Sequence, residues 1–262
     1  MMIHEELLEI SKPLLSERKV LDLVVGIKYT AVLLDNAKLG LAFTLKDPFM
    51  TKSRVNISTD DPQKLAFLLT STSPIQSSVG LATINSASQT LISKRDVGSS
   101  KNLLDALALG EKDQILMIGL MLPLAWELHN SVSKIWAVED VLSTKEGPPN
   151  LEVRPWWALD LILHKEKVSA ILISGSAIGN KTIDHIIEVA RKRGSKVALV
   201  GPSVPIFPDF WKAKGVKVLA ASLIIKPDLA LKLVKGGFGS KTLFKKGCLK
   251  KIVVDLEETK NP

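Results

Sequence analysis

The chain has a single cysteine, Cys248, among its 262 residues. That excludes an internal disulfide and any cysteine-rich zinc site, and it fits a reducing, cytoplasmic setting. Aromatic residues are scarce, at 5%, and the only tyrosine, Tyr29, lies inside an apolar run. A base-stacking platform for nucleic acid needs exposed rings, so that function is not expected. The histidines His4, His129, His164 and His185 do not pair with one another, with cysteine or with an acid at ligand spacing on one helix face. Apolar runs fall short of the ~20 residues of a membrane span. The opening MMIHEELLEISKPLL carries acids and lacks the basic start and cleavage site of a secretory signal. It predicts a short amphipathic helix ending near Pro13.

What is present is an ordinary globular composition, 46% hydrophobic and 24% charged. The length allows one or two domains with a sizeable core. The net charge of +8 is spread along the chain, and clusters such as Arg191, Lys192 and Arg193, or Lys245 and Lys246, read as solvated helix ends. An anionic small ligand accounts for the excess more simply than nucleic acid does.

The most informative stretch is VSAILISGSAIGNKTIDHIIEVARKRGSKVALVGPS, residues 168–203. Two β-branched, nearly continuous apolar runs predict strands buried on both faces. Between them Ile183, Ile186, Ile187 and Ala190 recur at helical spacing, with Asp184 in the first turn and Gly194 as the stop. Two turns, GSAIGNKT and GPS, follow the carboxyl ends of these strands. In an open parallel sheet those ends share one edge, where ligands bind.

Strands over 114–119, 134–138, 168–174, 196–201 and 216–221 alternate with helices near 102–109, 122–130, 155–164, 182–193, 207–213 and 227–234. That alternation predicts a parallel sheet. Ahead of it, LDLVVGIKYTAVLLD reads as one strand and KLGLAFTLK as its hairpin partner, with a loop and a third short strand over 46–58. Asp61-Pro62 and Ser73-Pro74 both open helices. The second helix is lined by Ser77, Ser78, Gly80, Ala82 and Ala87, which lets a neighbour approach closely. The charged, Gly/Ser-rich SKRDVGSSKN is the predicted linker, dividing the chain into 1–98 and 99–262.

Chemistry is sparse. After the first strand of the second part only Gly119 stands where a dinucleotide fold places G-x-G-x-x-G, although Glu139 occupies the place of a ribose-binding acid. A standard NAD site is rejected on that ground. Gly175, Gly179, Asn180, Lys181 and Thr182 offer a permissive turn and a helix start that suits an anion in principle, although simple capping is the favoured reading for a lone motif. Gly201, Pro202 and Ser203 form a second wall. Ser203 lacks an evident His–Asp pair in sequence, so nucleophilic catalysis is not expected. Glu139 and Asp140 are the available acidic metal ligands or bases, or a solvated strand end. Asn85, polar within an apolar helix, either contacts a ligand or satisfies a neighbouring loop.

SGSAIGNKTID followed by VALVGPSVPIFPDFWKAKGVKVLAAS, with GLAFTL and SVGLATINS in the first part, resembles the "putative heavy-metal chelation" family over most of the chain. Lys181 stands where glycine is common, and Ser86 where alanine is. The resemblance implies an α/β fold: a small α+β enolase N-terminal-like domain followed by a Rossmann-like parallel sheet domain. It also implies a site in the cleft between them that includes Asn85, Asn180, Thr182, Gly201, Pro202 and Ser203. A metal, a metal chelate or a small anion is then the expected ligand. Oxygen and amide donors suit harder cations or an already chelated metal. Two other readings stay open: an enzyme acting on a nucleotide or phosphorylated metabolite, and a non-catalytic assembly module, with homo-oligomerisation as its mark.

Overall fold

A computed structural model of the chain describes residues 1–46, 57, 59–91, 102–140 and 146–257. The predicted linker therefore lies outside the described residues except for Asn102, and so does the proposed third strand in the loop after Lys46.

The first part opens with α1 (Ile3–Leu15), which buries Leu7, Leu8 and Leu15. It runs through Pro13 rather than ending there. Proline in the last turn removes one hydrogen bond near a terminus, where little is lost. The expected long strand is broken into β1 (Val20–Val25) and β2 (Tyr29–Leu34), followed by β3 (Leu39–Phe43). The three form an antiparallel meander with β2 in the middle. The break is a turn in which the Gly26 amide donates to the Tyr29 carbonyl, and apolar Ile27 at its tip stands in solvent. An apolar residue in a turn is what conceals it from a hydropathy reading.

Two helices follow, α2 (Pro62–Phe67) and α3 (Pro74–Ser88). Asp61 caps α2, its carboxylate accepting from the amides of Gln63 and Lys64. α3 keeps no face open to solvent over residues 77–88, all of which are buried, its serines, Thr83 and Asn85 included. It covers one side of the meander, and α10 (below) covers the other. Every residue of β2 is accordingly buried.

The second part is α4 (Leu103–Leu107), β4 (Gln114–Ile118), α5 (Leu122–Leu128), β5 (Lys134–Glu139), β6 (Leu151–Pro155), α6 (Leu159–Lys165), β7 (Val168–Ser174), α7 (Ser176–Gly179), α8 (Ile183–Arg193), β8 (Lys196–Val200), α9 (Pro208–Ala213), β9 (Val218–Ile224), α10 (Pro227–Lys235), α11 (Ser240–Lys245) and β10 (Leu249–Asp255). The seven strands form one sheet in the order β10-β9-β8-β7-β4-β5-β6, parallel except for β10. The protein is thus an α/β fold built on a mostly parallel sheet. β6 and β10, at the two sheet edges, were not read from the sequence. LEVRP carries charge and ends in proline, and LKKIVVD has two exposed lysines, so neither is a continuous apolar run.

Helices cover both faces of the large sheet. One face packs Leu103, Leu107, Ala125 and Leu128 against Ile115, Met117 and Leu172. The opposite face belongs to a larger core that joins α8 and α9 to α1 and α3 of the first part. β4 is followed by β5 and β6 on one side, whereas β7, β8 and β9 extend the other. The chain therefore switches direction between β4 and β7, and a crevice opens over their carboxyl ends.

Candidate functional site

A cavity of about 680 Å³ lies at that carboxyl edge. Its floor is the strand ends: Gly119 after β4, Glu139 ending β5, Ser174 ending β7, and Gly201 after β8. Tyr29 and Phe43 of the meander close it from the first part, ring edge to ring face with centroids 6.3 Å apart. The remaining wall is largely apolar, including Leu120, Met121, Leu124, Val253 and Phe244.

Backbone conformation opens this floor. Gly119 and Gly201 have φ of +85° and +109°, the left-handed region that glycine enters without strain. A Cβ on Gly201 would meet nothing within 4 Å, so the backbone there borders open space. Glu139 is half-buried. One carboxylate oxygen accepts from the Leu120 amide at 2.8 Å and the other from the Asp140 amide at 3.0 Å. The other ionic groups lining the cavity among the described residues are Glu127 and Lys251, which pair with each other at 3.0 Å. Among the described residues, the cations are therefore not gathered at this wall. Burial pushes the Tyr29 phenol up, against a smaller opposing effect from its hydrogen bond to Ser240, so it stays neutral and can donate.

Of the residues read from the sequence, Gly119, Glu139, Gly201, Pro202 and Ser203 line this cavity, and Asn85, Gly175, Asn180, Lys181, Thr182 and Asp140 do not. The two turns do meet, but only through the start of the first. A Cβ on Gly175 would lie 2.6 Å from the Ser203 carbonyl carbon, so glycine permits the contact. The end of that turn instead docks the two parts of the molecule. A Cβ on Gly179 would touch Leu45 and Leu81. The Gly179 carbonyl accepts from Ser77 Oγ at 2.6 Å and from Lys181 Nζ at 3.2 Å, and Lys181 Nζ also donates to Ser77 Oγ. Burial holds the Lys181 ammonium below its ordinary pKa. Asn180 Oδ1 accepts from the amide and the hydroxyl of Thr182, a local turn, and neither side chain caps α8.

Asn85 is also a joint. Its side-chain NH₂ donates to the carbonyls of Leu41 and Pro202 at 2.7 and 2.8 Å, and its Oδ1 accepts from Ser88 Oγ. Ser88 Oγ in turn accepts from the Ile206 amide, and Gln89 bridges β9 by donating to the Ser222 carbonyl and accepting from the Ile224 amide. Ser203 Oγ accepts from the Phe43 amide at 2.8 Å, fixing the end of β3 over the cavity. The sequence reading missed Ser88 and Gln89. Their place one turn beyond Asn85 on a helix buried all round was the available signal. Ser174 and Ser176, which do line the cavity, share a hydroxyl contact at 3.1 Å. Among the described residues, no group of three or more His, Cys, Asp or Glu is placed to hold a metal ion. Cys248 is buried away from the cavity wall, and burial pushes its thiol up.

Fold and site together define an α/β protein with a ligand-sized cavity at the switch point of a mostly parallel sheet. The chain belongs to the DUF364 family, described as "putative heavy-metal chelation", whose model matches residues 102–253. A companion model, DUF4213, with the same description, matches residues 8–88. An uncharacterized protein of Methanocaldococcus jannaschii is 28% identical over 275 residues, covering 98% of this chain and 99% of that one. Two crystal structures of DUF364 family proteins of unknown function share the fold. One, from Pyrococcus horikoshii, has a TM-score of 0.79 at 24% identity, covering 97% of this chain and all of that chain. The other, from Desulfitobacterium hafniense, has a TM-score of 0.71 at 19% identity, with the same coverage. No helix among the described residues is long and apolar enough to cross a membrane.

Proposed function

We propose that the protein binds a metal in already chelated form, the organic chelator seated in the cavity at the sheet's carboxyl edge. The family description favours a metal, and the character of the cavity wall favours its chelated form. That wall is the observation that carries the reading: about 680 Å³, mostly apolar, with Glu139 the one carboxylate outside an ion pair among the described residues. A bare soft ion needs several thiolate or imidazole ligands, and a bare hard ion six or more oxygens. A chelate brings its own ligands and presents an organic surface, which an apolar cavity with few polar groups accommodates. Glu139 can then accept a hydrogen bond from the chelator or take one open coordination position. Tyr29 adds one donor.

Isothermal titration with the nickel(II)–phenanthroline complex, free phenanthroline and bare nickel(II) tests this. The complex should bind at least about tenfold more tightly than the bare ion. Ala220→Phe, which pushes a ring into the cavity from β9, should weaken that binding at least about tenfold while leaving thermal unfolding cooperative. Binding of the bare ion as tight as that of the complex would sink the reading, as would an Ala220→Phe variant that binds unchanged.

A further inference from the structure

We propose that the arm of the cavity at the ends of β4 and β5 takes a nucleoside without phosphate, its ribose diol held by Glu139. This rests on the cavity being the ligand site, and it goes further by naming what one arm accepts.

Three observations converge. The first is topology. In open parallel sheets ligands lie over the strand ends at the switch point, and an acid some 20 residues after the first strand–turn accepts from ribose hydroxyls. Here β4 and β5 are paired in parallel with Ile118 opposite Val138, so Gly119 and Glu139 leave the sheet side by side. The second is the acceptor capacity of Glu139. Each carboxylate oxygen has two lone-pair sites and each accepts one backbone amide, which leaves one site per oxygen. Two adjacent hydroxyls on a ribose match two adjacent acceptors. The amide from Leu120 also fixes the carboxylate against the β4 turn, so the diol need not order it. Leu120, whose amide meets Glu139, lines the cavity together with Met121 and Leu124, and these side chains give a base an apolar surface.

The third observation decides against phosphate. The β4 turn has the single glycine Gly119, and Pro123 at the start of α5 removes an amide that an anion would use. Beside Glu139, the ionic groups lining the cavity among the described residues are Glu127 and Lys251, already paired. Among the described residues, a phosphate would meet an unpaired carboxylate with no compensating cation at the wall. An uncharged or cationic nucleoside meets no such penalty.

The test uses adenosine, 2′-deoxyadenosine and adenosine 5′-monophosphate as probes, titrated into the full-length protein and into Glu139→Gln. Adenosine should bind the unaltered protein. Loss of the 2′-hydroxyl, or of the carboxylate, should weaken it by about tenfold or more. The monophosphate should bind no more tightly than adenosine. If Glu139→Gln does not fold, the deoxy probe on the unaltered protein carries the same comparison. Absence of adenosine binding at low-millimolar concentration, tighter binding of the monophosphate, or indifference to both changes would overturn the proposal. If adenosine fails while nickel(II)–phenanthroline binds, the nucleoside arm is wrong and the cavity reading stands. If neither binds, both are wrong.

Discussion

Gly40 has no room for a methyl group. A Cβ there would lie 1.9 Å from the Ala82 carbonyl oxygen and 2.2 Å from the Ser86 nitrogen, both backbone atoms of α3. β3 and α3 can therefore touch only because one presents glycine and the other small side chains. Gly40→Ala should cost about 4 kcal/mol or more, since neither backbone can yield without moving its whole element. Loss of soluble protein, or a collapse of the thermal midpoint, would show it. Asn85 lies on the same helix, fully buried. Asn85→Ala leaves the carbonyls of Leu41 and Pro202 without their side-chain donor, a loss of about 2–3 kcal/mol. A urea midpoint unchanged from the parent protein would contradict this. The small-residue stripe announced close packing in the sequence itself. Asn85 announced only that a buried amide must be satisfied, and the choice between a ligand and a loop needed Pro202 in place. Residues far apart in the chain supply that answer, so no local pattern could give it.

α1 docks against the turn before α8 through its first residues. Asp184 Oδ1 accepts from the Ile3 amide at 3.0 Å, and His4, 6% exposed, is buried behind it. The charged groups acting on His4 are Lys181 from the turn, Asp184 from α8 and Glu5 from α1 itself. Burial, then Lys181, holds the His4 pKa below 6.5, and the two carboxylates oppose this only in part. The folded state thus prefers a neutral imidazole, and the unfolded chain binds the proton more readily. Stability is fully present above the unfolded pKa and falls as the pH drops through and below it. The urea midpoint should decline from pH 7 toward pH 5, and His4→Gln should flatten that decline. An unchanged slope in His4→Gln would show that other groups govern it. At this scale the sequence was readable wherever burial was two-sided: the runs that became β4, β5, β7 and β8 are continuous because helices cover both faces. It failed at the sheet edges β6 and β10, where charge interrupts the run. It failed also at the turn of Gly26 and Ile27, where an apolar tip joins two strands into one apparent run.

Across the whole molecule, the two parts share one core rather than meeting at a wet seam. Leu7, Leu8, Leu81 and Ile84 of the first part belong to the same cluster as Ile171, Ile173, Ile183 and Trp211 of the second. The meander is covered from the second part too, by Ala230, Leu231 and Val234 of α10. Hydrogen bonds cross at Ser77, Asn85, Ser88, Gln89 and Phe43, and Lys235 pairs with Asp22 at 2.5 Å. Separating the parts would expose α3, whose residues 77–88 are all buried in the fold, and would strip one face from β2. Neither part then keeps enough buried apolar surface to offset the entropy of its own ordering. Calorimetry should give a single transition whose measured and van't Hoff enthalpies agree. A fragment ending before the second part should remain unfolded. Two resolved transitions, or a folded fragment, would show that the parts are independent. The cavity would then be a gap between two separately stable bodies, free to open, and not a fixed space whose roof, Tyr29 and Phe43, is held over the strand ends by the packing that folds the chain.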